Sequence, residues 1–232
     1  MKVSCIIPAY NEAARIADVL AQVVGHPLID EVIVVDDGSD DGTSGVVAAI
    51  AGAQLITLPE NRGKTAALAA AIVQARGDVL LLVDADLIGL SAADLTGLID
   101  PVLSGQSDLS ISLRRNAPWL WHRIGLDYIS GERVLPKSLI EPELAGLALL
   151  PRFGFEVFLN GLSIAASHRI AVVAWPRVIS PVKAAKYGWW QGVRADIGMI
   201  RDLLRSVPAT GLLRQIILMR RLRIAGPGSK AR

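Results

Sequence analysis

The sequence predicts an α/β fold with a mostly parallel sheet and helices on both of its faces. As far as residue 113, short apolar segments rich in Val, Ile and Leu alternate with longer helical segments, joined by short polar connections. Such apolar segments are typical of strands buried on both faces, and their alternation with helices favours a parallel sheet. Hydrophobic side chains make up 52% of the 232 residues, which allows a large core.

The elements of this first part follow in chain order, and each strand is an apolar segment bounded by turn residues. The expected strands are Val3–Pro8, Glu31–Val35, Gln54–Leu58, Val79–Val83 and Asp108–Leu113. The expected helices are Glu12–Val24, Ser44–Ala51, Lys64–Arg76 and Ala92–Leu103. Ser91 precedes the fourth helix and Asp94 follows three residues later, which is the spacing of a capping box.

The alternation is lost after residue 114. Loop and short helices rich in Trp, Arg and Pro are expected over 116–152. The later expected elements are a helix at Phe153–Ser167, a strand at Ile170–Trp175, and two helices at Val193–Ser206 and Leu212–Ile224.

We expect one domain over residues 1–188, with a tail of basic amphipathic helices over 189–232. Within the domain, residues 1–113 would form a nucleotide-binding half and 114–188 an acceptor half. The chain carries no aromatic-interleaved basic patch, so nucleic acid is not an expected partner.

Charge is divided unevenly along the chain. Residues 1–100 hold 14 acidic and 5 basic side chains, a formal charge of −9, whereas residues 101–232 hold 8 acidic and 19 basic side chains, a charge of +11. An acidic half suits a metal site, and a basic half suits phosphates or an anionic membrane surface.

Several classes of protein are disfavoured by simple features. Cys5 is the single cysteine, which excludes an internal disulfide and a cysteine-rich zinc site. No apolar stretch reaches the roughly 18 residues of a spanning helix, and the first apolar segment is too short for a signal peptide. We therefore expect a cytoplasmic protein.

Asp84 and Asp86 directly follow the apolar segment Val79–Val83, at the end of the fourth expected strand. Open α/β sheets bind ligands at the carboxyl ends of their strands. Two carboxylates at this spacing can hold Mg²⁺ or Mn²⁺ against a diphosphate, because these cations prefer oxygen ligands. A solvated turn explains the pair equally well when it is considered alone.

Three more polar turns follow the first three strands. Residues 8–12 join a strand to a helix start, whose N–H groups attract anions, and they offer a tyrosine ring for stacking on a base. Residues 36–41 hold four carboxylates, which need a cation or hydrogen-bond donors nearby. Residues 61–65 open a helix with Gly63 and Lys64, a combination that favours a phosphate or sugar oxygen. Each turn alone is also compatible with ordinary helix capping.

Taken in order and with their spacing, these segments resemble the family 2 glycosyltransferases of GT-A fold. The motifs are Pro-Ala-Tyr-Asn-Glu, Val-Asp-Asp-Gly-Ser-x-Asp-x-Thr, Asn-x-Gly-Lys-x-x-Ala and Asp-Ala-Asp. Later segments are similar to polyprenyl-phosphate sugar transferases and glucosyl-phosphoglycerate synthases, namely Ser-Gly-Glu-Arg-Val-Leu at 130–135 and Phe-Gly-Phe-Glu-Val at 153–157.

The resemblance implies transfer of a sugar from a UDP-, GDP- or dTDP-linked donor with Mg²⁺ or Mn²⁺. The residues that would bind the donor are Pro8, Ala9, Tyr10, Glu12, Asp36, Asp37, Lys64, Asp84 and Ala85. The metal would be held by Asp86, helped by Asp84. The residues that would bind an acceptor phosphate are Arg114, Gly131 and Arg133. The catalytic residues would be Asp86, Arg133 and Glu156.

The acceptor is left open between two classes. Glu156 would be the base for a hydroxyl acceptor, whereas a phosphate is already ionised and would leave Glu156 an orienting or structural role. The histidine that binds metal in some phosphoglycerate-type members has no match here, and this favours a lipid phosphate such as a polyprenyl phosphate. A soluble phosphorylated acid is the alternative, and a non-catalytic nucleotide-sugar-binding protein is a third interpretation.

The C-terminal region also bears on the acceptor. In Leu212–Ile224 apolar side chains alternate with arginines, the pattern of a helix that lies on an anionic bilayer. Lys183, Lys186, Trp189 and Trp190 add basic and aromatic side chains typical of a membrane interface. We therefore expect peripheral attachment to the inner face of the membrane. Packing on the domain or a homodimer contact is the alternative.

Overall fold

A computed structural model describes residues 1–147, 154–181 and 208–224. The strands are β1 (Val3–Ala9), β2 (Glu31–Asp36), β3 (Ala53–Thr57), β4 (Val79–Leu82), β5 (Leu109–Arg114), β6 (Arg133–Pro136), β7 (Ile170–Trp175) and β8 (Arg223–Ile224). The first four helices are α1 (Ile16–Val23), α2 (Thr43–Ala48), α3 (Lys64–Gln74) and α4 (Ala92–Leu103). The later ones are α5 (Trp119–Ile124), α6 (Lys137–Ile140), α7 (Leu144–Leu147), α8 (Gly154–Ala165) and α9 (Ala209–Leu222), with a 3₁₀ turn at Glu141–Glu143.

The strands form one sheet in the order β3-β2-β1-β4-β6-β5-β7-β8. All neighbouring pairs are parallel except the two that involve β6, which runs antiparallel to both β4 and β5. The expected mostly parallel α/β sheet is therefore confirmed. Only loop and short helices were expected over 116–152, so strand β6 is an addition to the expected fold.

Helices cover both faces of the sheet and divide the core in two. On one face α1 and α4 bury residues such as Leu20 and Leu98 against β1 and β2. On the other face α3, α8 and α9 bury residues such as Leu68, Phe155 and Met219. This two-sided burial explains why the central strands are apolar at almost every position.

The start of the first helix differs from the expectation. Helix α1 begins at Ile16 and not at Glu12, because the preceding backbone N–H groups are bound by side chains from the loop after β2. The N–H groups of Asn11, Glu12 and Ala13 donate to these side-chain oxygens over 2.9, 2.9 and 3.0 Å. Asn11 also takes a positive φ of 56°, a conformation outside the helix.

Helix α4 begins as the sequence predicts. The Ser91 hydroxyl accepts from the backbone N–H of Asp94, and the Asp94 carboxylate accepts from the N–H of Ser91 at 3.0 Å. This reciprocal capping box satisfies two N–H groups that the helix itself cannot bond.

The described part of the expected tail packs on the domain. Helix α9 lies against α8, and its Met219 is fully buried. The Tyr128 hydroxyl donates to Gln215 of α9 over 2.5 Å, and β8 extends the sheet beside β7. The expected helix Val193–Ser206 and the division at 188 lie outside the described residues, so the domain boundary stays a prediction.

Among helices in these three ranges, none has both the length and the apolar character needed to cross a bilayer.

Candidate active site

The polar turns identified in the sequence lie together at the carboxyl ends of the parallel strands. Strands β1, β2 and β4 are parallel neighbours, so the segments that follow them emerge on the same side. Asp36 ends β2, Lys64 opens α3, and Asp84 follows β4. The fold therefore brings together residues that are up to 48 positions apart in the sequence.

Lys64 is the centre of this site because it joins two carboxylates from distant elements. Its Nζ lies 2.7 Å from Asp84 Oδ1 and 3.2 Å from Glu156 Oε1, at the start of α8. Burial alone would lower the pKa of Lys64, but the charges of Asp84 and Glu156 outweigh it and raise that pKa. Burial would raise the pKa of Asp84, yet Lys64 and Arg114 hold it below its usual value. The ion pair is therefore fully charged at neutral pH.

Gly131 packs directly against this ion pair. A Cβ at this position would lie 2.5 Å from Lys64 Nζ and 2.8 Å from both carboxylate oxygens of Asp84. Contacts below about 3.0 Å are not seen for real Cβ atoms, so a side chain here would displace the Lys64 ammonium or the Asp84 carboxylate. Gly131, expected at the acceptor, lies against the Lys64–Asp84 pair in the structure.

The two aspartates at the end of β2 hold neighbouring loops. Asp37 accepts from the backbone N–H groups of Arg62 and Gly63, both at 2.8 Å, and so fixes the turn before α3. Asp36 accepts from the N–H of Ser39 at 3.0 Å and from the hydroxyl of Ser44. Asp36 and Asp37 therefore fix the conformation of the loops after β2 and before α3.

The end of β1 and the residues that follow it line the same side of the site. Pro8 and Ala9 are in the strand, and Tyr10 stands 47% exposed with its ring open to a ligand. Glu12 is buried, and its carboxylate lies 3.0 Å from Arg15 Nη1. Tyr10 is therefore the one of these side chains that presents a large apolar face to solvent.

Asp86 and the buried Ala85 complete the Asp-Ala-Asp turn. The hydroxyl of Ser180 lies 3.3 and 3.4 Å from the two Asp86 oxygens, which is long for a hydroxyl–carboxylate bond. Asn116 holds Ser180 in place, because its amide donates to the Ser180 carbonyl over 2.6 Å. Within residues 1–147, 154–181 and 208–224, no three His, Cys, Asp or Glu side chains are grouped to hold a metal by themselves.

A second group of charges lies beside the first, and most of it was missed in the sequence. Arg114 Nη1 is 3.3 Å from Glu132 Oε1, and its Nη2 is 3.9 Å from Asp127 Oδ2. Burial would lower the pKa of Arg114, but Glu132, Asp84 and Asp127 together raise it. Glu132 stands in the Ser-Gly-Glu-Arg segment already quoted, while the signal for Asp127 appears only in three dimensions.

The structure places Arg133, which the resemblance assigns to the acceptor, in bonds within the fold. Its side chain is buried, and three of its N–H groups donate to the Ser130 carbonyl at 2.7 Å, Asn160 at 2.6 Å and the Tyr128 carbonyl at 3.0 Å. Since the guanidinium holds the 128–130 turn to α8, no exposed part of it faces an acceptor. The arginine that reaches the site is Arg114.

The C-terminal cluster of Lys183, Lys186, Trp189 and Trp190 lies outside the described residues. In α9 most of the apolar side chains face the domain. Leu213 and Ile217 project outward at 59% and 44% exposure, with exposed arginines around them. On α5, Trp119 is 74% exposed and Leu120 44% exposed.

Comparison with known families places this geometry in context. The model of the family described as Glycosyl transferase family 2 matches residues 4–153. The undecaprenyl-phosphate 4-deoxy-4-formamido-L-arabinose transferase of Aeromonas hydrophila is 35% identical over 130 residues, which are 52% of this chain and 39% of that protein. The glucosyl-3-phosphoglycerate synthase of Mycobacterium tuberculosis is 32% identical over 113 residues, 45% of this chain and 35% of that protein.

Solved structures give a longer match. A crystal structure of the Mycobacterium tuberculosis glucosyl-3-phosphoglycerate synthase with Mn²⁺, UDP-glucose and phosphoglyceric acid has a TM-score of 0.65 and 25% identity. The match covers 88% of this chain and 79% of that one. By contrast, the chain spans less than two fifths of the length of the curated relatives named above.

Proposed function

Because the chain belongs to glycosyl transferase family 2, we propose that it is a hexosyltransferase that moves a sugar from a nucleotide-sugar donor to a lipid phosphate such as a polyprenyl phosphate. The observation that carries the proposal is Lys64 between Asp84 and Glu156 at the carboxyl edge of the sheet. This arrangement sets one cation and two carboxylates where open α/β sheets bind ligands.

The donor would lie along the turns after β1 to β4. Tyr10 offers its exposed ring to the base, and Asp36 and Asp37 order the loops beside the ribose. The N-terminus of α3 and Lys64 face the diphosphate, because helix starts and ammonium groups favour anions. Pro8, Ala9, Glu12 and Ala85 would shape the walls of the pocket.

Asp86 would hold a divalent cation, with Asp84 close by. The donor set fits Mg²⁺ or Mn²⁺, because both side chains are carboxylates, Asp84 is held ionised, and such cations take their remaining ligands from substrate phosphates. A bound cation would neutralise the charge that develops on the leaving diphosphate. The similar synthase structure contains Mn²⁺ together with UDP-glucose, and this supports the assignment.

Asp86→Ala tests the metal assignment. We expect the variant to lose the stabilisation that Mn²⁺ adds to donor binding, since the proposed direct ligand is gone. Isothermal titration of the donor with and without Mn²⁺ measures this. The outcome that contradicts the assignment is an unchanged effect of Mn²⁺ on the donor affinity.

Arg114 would bind the acceptor phosphate, and Gly131 would line the way to it. A guanidinium binds phosphate oxygens in a bidentate manner, and Arg114 reaches the site from the end of β5. Glu156 is held by Lys64 at 3.2 Å, which fixes the direction of its carboxylate. For a phosphate acceptor Glu156 would orient groups, and for a hydroxyl it would accept the proton.

Two exposed surfaces support a lipid acceptor and peripheral attachment to the inner face of the membrane. On α9, Leu213 and Ile217 stand among the exposed Arg214, Arg220 and Arg221. At the other surface, Trp119 on α5 belongs to the segment that follows Arg114. Apolar side chains ringed by arginines fit the head-group region of an anionic bilayer.

Vesicle binding tests the membrane surface. We expect co-sedimentation with phosphatidylglycerol vesicles that weakens as salt is raised, and weaker binding still for Leu213→Ser/Ile217→Ser. Val73→Ser is the matched control, because Val73 is an exposed valine on α3, at 66% exposure. Absence of salt-sensitive binding would remove the support for a lipid acceptor.

The second candidate keeps the donor chemistry and uses a soluble phosphorylated acid as acceptor. The similarity to a synthase structure that contains phosphoglyceric acid favours it. Transfer of labelled sugar to a polyprenyl phosphate and to 3-phosphoglycerate, assayed side by side, separates the two acceptors.

The first experiment is a thermal-shift panel of UDP-, GDP- and dTDP-sugars with and without Mn²⁺. Metal-dependent stabilisation by one nucleotide would support the donor site and identify its base. Binding without turnover in any acceptor assay would favour a non-catalytic nucleotide-sugar-binding protein. Oligomeric state, including a homodimer through α9, is measured on the same samples by light scattering.

A further inference from the structure

We propose that Glu132 and Asp127 are positioning residues that orient the Arg114 guanidinium beside the Lys64–Asp84 pair. We call this arrangement of Arg114, Glu132 and Asp127 the clamp. The inference rests on the proposed function in one respect, namely that Arg114 meets the acceptor phosphate. Neither acidic residue forms a salt bridge with the Lys64 ammonium, although the charge of Glu132 acts on Lys64 and Asp84 as well as on Arg114.

The geometry of Arg114 shows two carboxylates directed at its two terminal nitrogens. Glu132 lies 3.3 Å from Nη1, and Asp127 lies 3.9 Å from Nη2. The Arg114 side chain keeps 15% of its surface exposed, whereas both carboxylates are fully buried. The two buried carboxylates therefore hold both terminal nitrogens of the guanidinium, while its Nε is buried without a hydrogen-bond partner among the described residues.

Glu132 is itself fixed by hydroxyl groups. Its Oε2 accepts from Ser112 and from Ser130, both at 2.8 Å, and the two hydroxyl oxygens are 2.9 Å apart. These bonds occupy one carboxylate oxygen and leave Oε1 directed at Arg114. The orientation of Glu132 is therefore set before any ligand arrives, which lowers the cost of ordering Arg114.

The same segment connects Arg114 to the donor residues. Ser130 and Glu132 flank Gly131, where an added Cβ would meet Lys64 and Asp84. The residues 130–132 thus form a wall with the Lys64–Asp84 pair on one side and the Arg114 group on the other. A displacement of this wall would change both halves of the site together.

Burying these charges is costly, and that cost argues against a purely stabilising role. An uncompensated buried carboxylate costs several kcal/mol, and a buried ion pair adds little net stability compared with apolar side chains of similar volume. Asp127 Oδ2 and Glu132 Oε1 make no hydrogen bond despite their ion-pair contacts, so the group is not arranged for the greatest stability. A role in orienting Arg114 explains why such a group is built next to the site.

Arginine labelling tests the clamp without any knowledge of the acceptor. In Glu132→Gln we expect phenylglyoxal to modify Arg114 about tenfold faster than in the wild type, because the buried carboxylate that pairs with Nη1 is lost. Mass spectrometry of the peptide measures the rate. Arg169, which is exposed and paired with Asp108, is the internal reference and should be unchanged.

Matched variants guard against a general loss of structure. Glu141→Gln removes a carboxylate of the same kind from an exposed pair with Lys137, and we expect no change at Arg114. If Glu132→Gln does not fold, Ser130→Ala is the milder variant, because it removes one of the two hydroxyls that orient Glu132. Unchanged labelling of Arg114 in folded Glu132→Gln and Asp127→Asn would overturn the proposal.

Kinetic measurements then distinguish the proposal that Glu132 orients Arg114 from the proposal that Arg114 binds the acceptor phosphate. We expect Glu132→Gln to raise the KM for the acceptor phosphate about tenfold, with the KM for the donor within about twofold of wild type. Faster labelling of Arg114 with an unchanged acceptor KM would support the clamp and overturn the acceptor role of Arg114. The two failures are therefore distinguishable.

Discussion

At the scale of single residues, Gly131 shows how narrowly the site is built. The absence of a side chain at this position lets Lys64 and Asp84 meet at 2.7 Å. Its backbone does not need a positive φ, so a substitution here would act through its contacts with Lys64 and Asp84 and not through backbone strain.

Gly131→Ala should lower activity by on the order of ten- to a hundredfold, because a shift of about 1 Å at reacting groups has effects of that size. The added methyl would push the Lys64 ammonium away from Asp84. Steady-state transfer assays measure the loss. Gly146→Ala in α7 is the control, since a Cβ there meets nothing within 4 Å. Equal activities of the two variants would contradict this account of the site.

Asp127 is the residue whose titration should be visible in stability. Burial raises its pKa to about 6, with Arg114 opposing the shift and Glu132 adding to it. The folded protein therefore binds this proton more tightly than the unfolded chain does. The stabilising contribution is present below about pH 4 and is lost as the pH rises toward 6.

Asp127→Asn should remove that pH dependence, because an amide stays neutral. We expect the free energy of unfolding of the variant, relative to wild type, to improve by about 2–3 kcal/mol between pH 4 and pH 7. Urea unfolding at several pH values measures both proteins. Parallel curves over this range would show that Asp127 titrates as an ordinary aspartate.

At the scale of elements, the local sequence predicted those strands and helices whose ends are not set by side chains of other segments. The apolar strands β1 to β5 and the capped helix α4 are set by their own residues. The start of α1 is set instead by Ser39, Asp41 and Thr43 of another loop, which bind the N–H groups that a helix would need. No pattern within residues 12–15 contains that information.

Strand β6 could not be predicted for a related reason. It has only four residues, begins with the charged Arg133 and ends with Pro136, which lacks an N–H donor. Its position is fixed by pairing with β4 on one side and β5 on the other, both distant in sequence. Burial of Arg133 goes with that pairing, whereas the acceptor role expected for it rested on the resemblance of residues 130–135 to polyprenyl-phosphate sugar transferases.

The capping box of α4 gives a direct test at this scale. Ser91→Ala should lower the free energy of unfolding by about 1 kcal/mol, since the N–H of Asp94 loses its side-chain partner. Ser104→Ala at the other end of the helix is the control, because its hydroxyl makes only one contact of 3.5 Å. Chemical denaturation compares them. A loss of equal size in both would point away from capping.

At the scale of the whole molecule, the C-terminal helix is less separate than its sequence suggests. Its mixture of apolar side chains and arginines is typical of a helix on an anionic bilayer, and only the three-dimensional structure shows which leucines and isoleucines face the domain. The position of the donor turns at the carboxyl ends of the strands could be predicted from the sequence motifs. The Arg114 group could not be predicted, because Ser112 and Arg114 on β5 meet Asp127 and Glu132, from the segment between α5 and β6, only in the folded chain.

Met219→Ala tests whether α9 belongs to the domain. Because Met219 is fully buried against the domain, we expect a loss of about 2–5 kcal/mol in the free energy of unfolding. Leu213→Ala on the exposed face of α9 should stay within about 0.5 kcal/mol of wild type. Thermal or urea unfolding measures both. Similar small effects would mean that α9 is an independent appendage.

The insertion of β6 between β4 and β5 also has a consequence for synthesis on the ribosome. When Arg114 has been added, all strands of the donor half exist, but β4 still lacks its antiparallel neighbour, which begins 19 residues later at Arg133. At usual rates of elongation this takes roughly one to four seconds. During that interval the nascent chain carries an apolar strand with a vacant edge, and premature parallel pairing with β5 competes with the native order. Translation speed across residues 115–132 is therefore a variable in the yield of correctly folded protein.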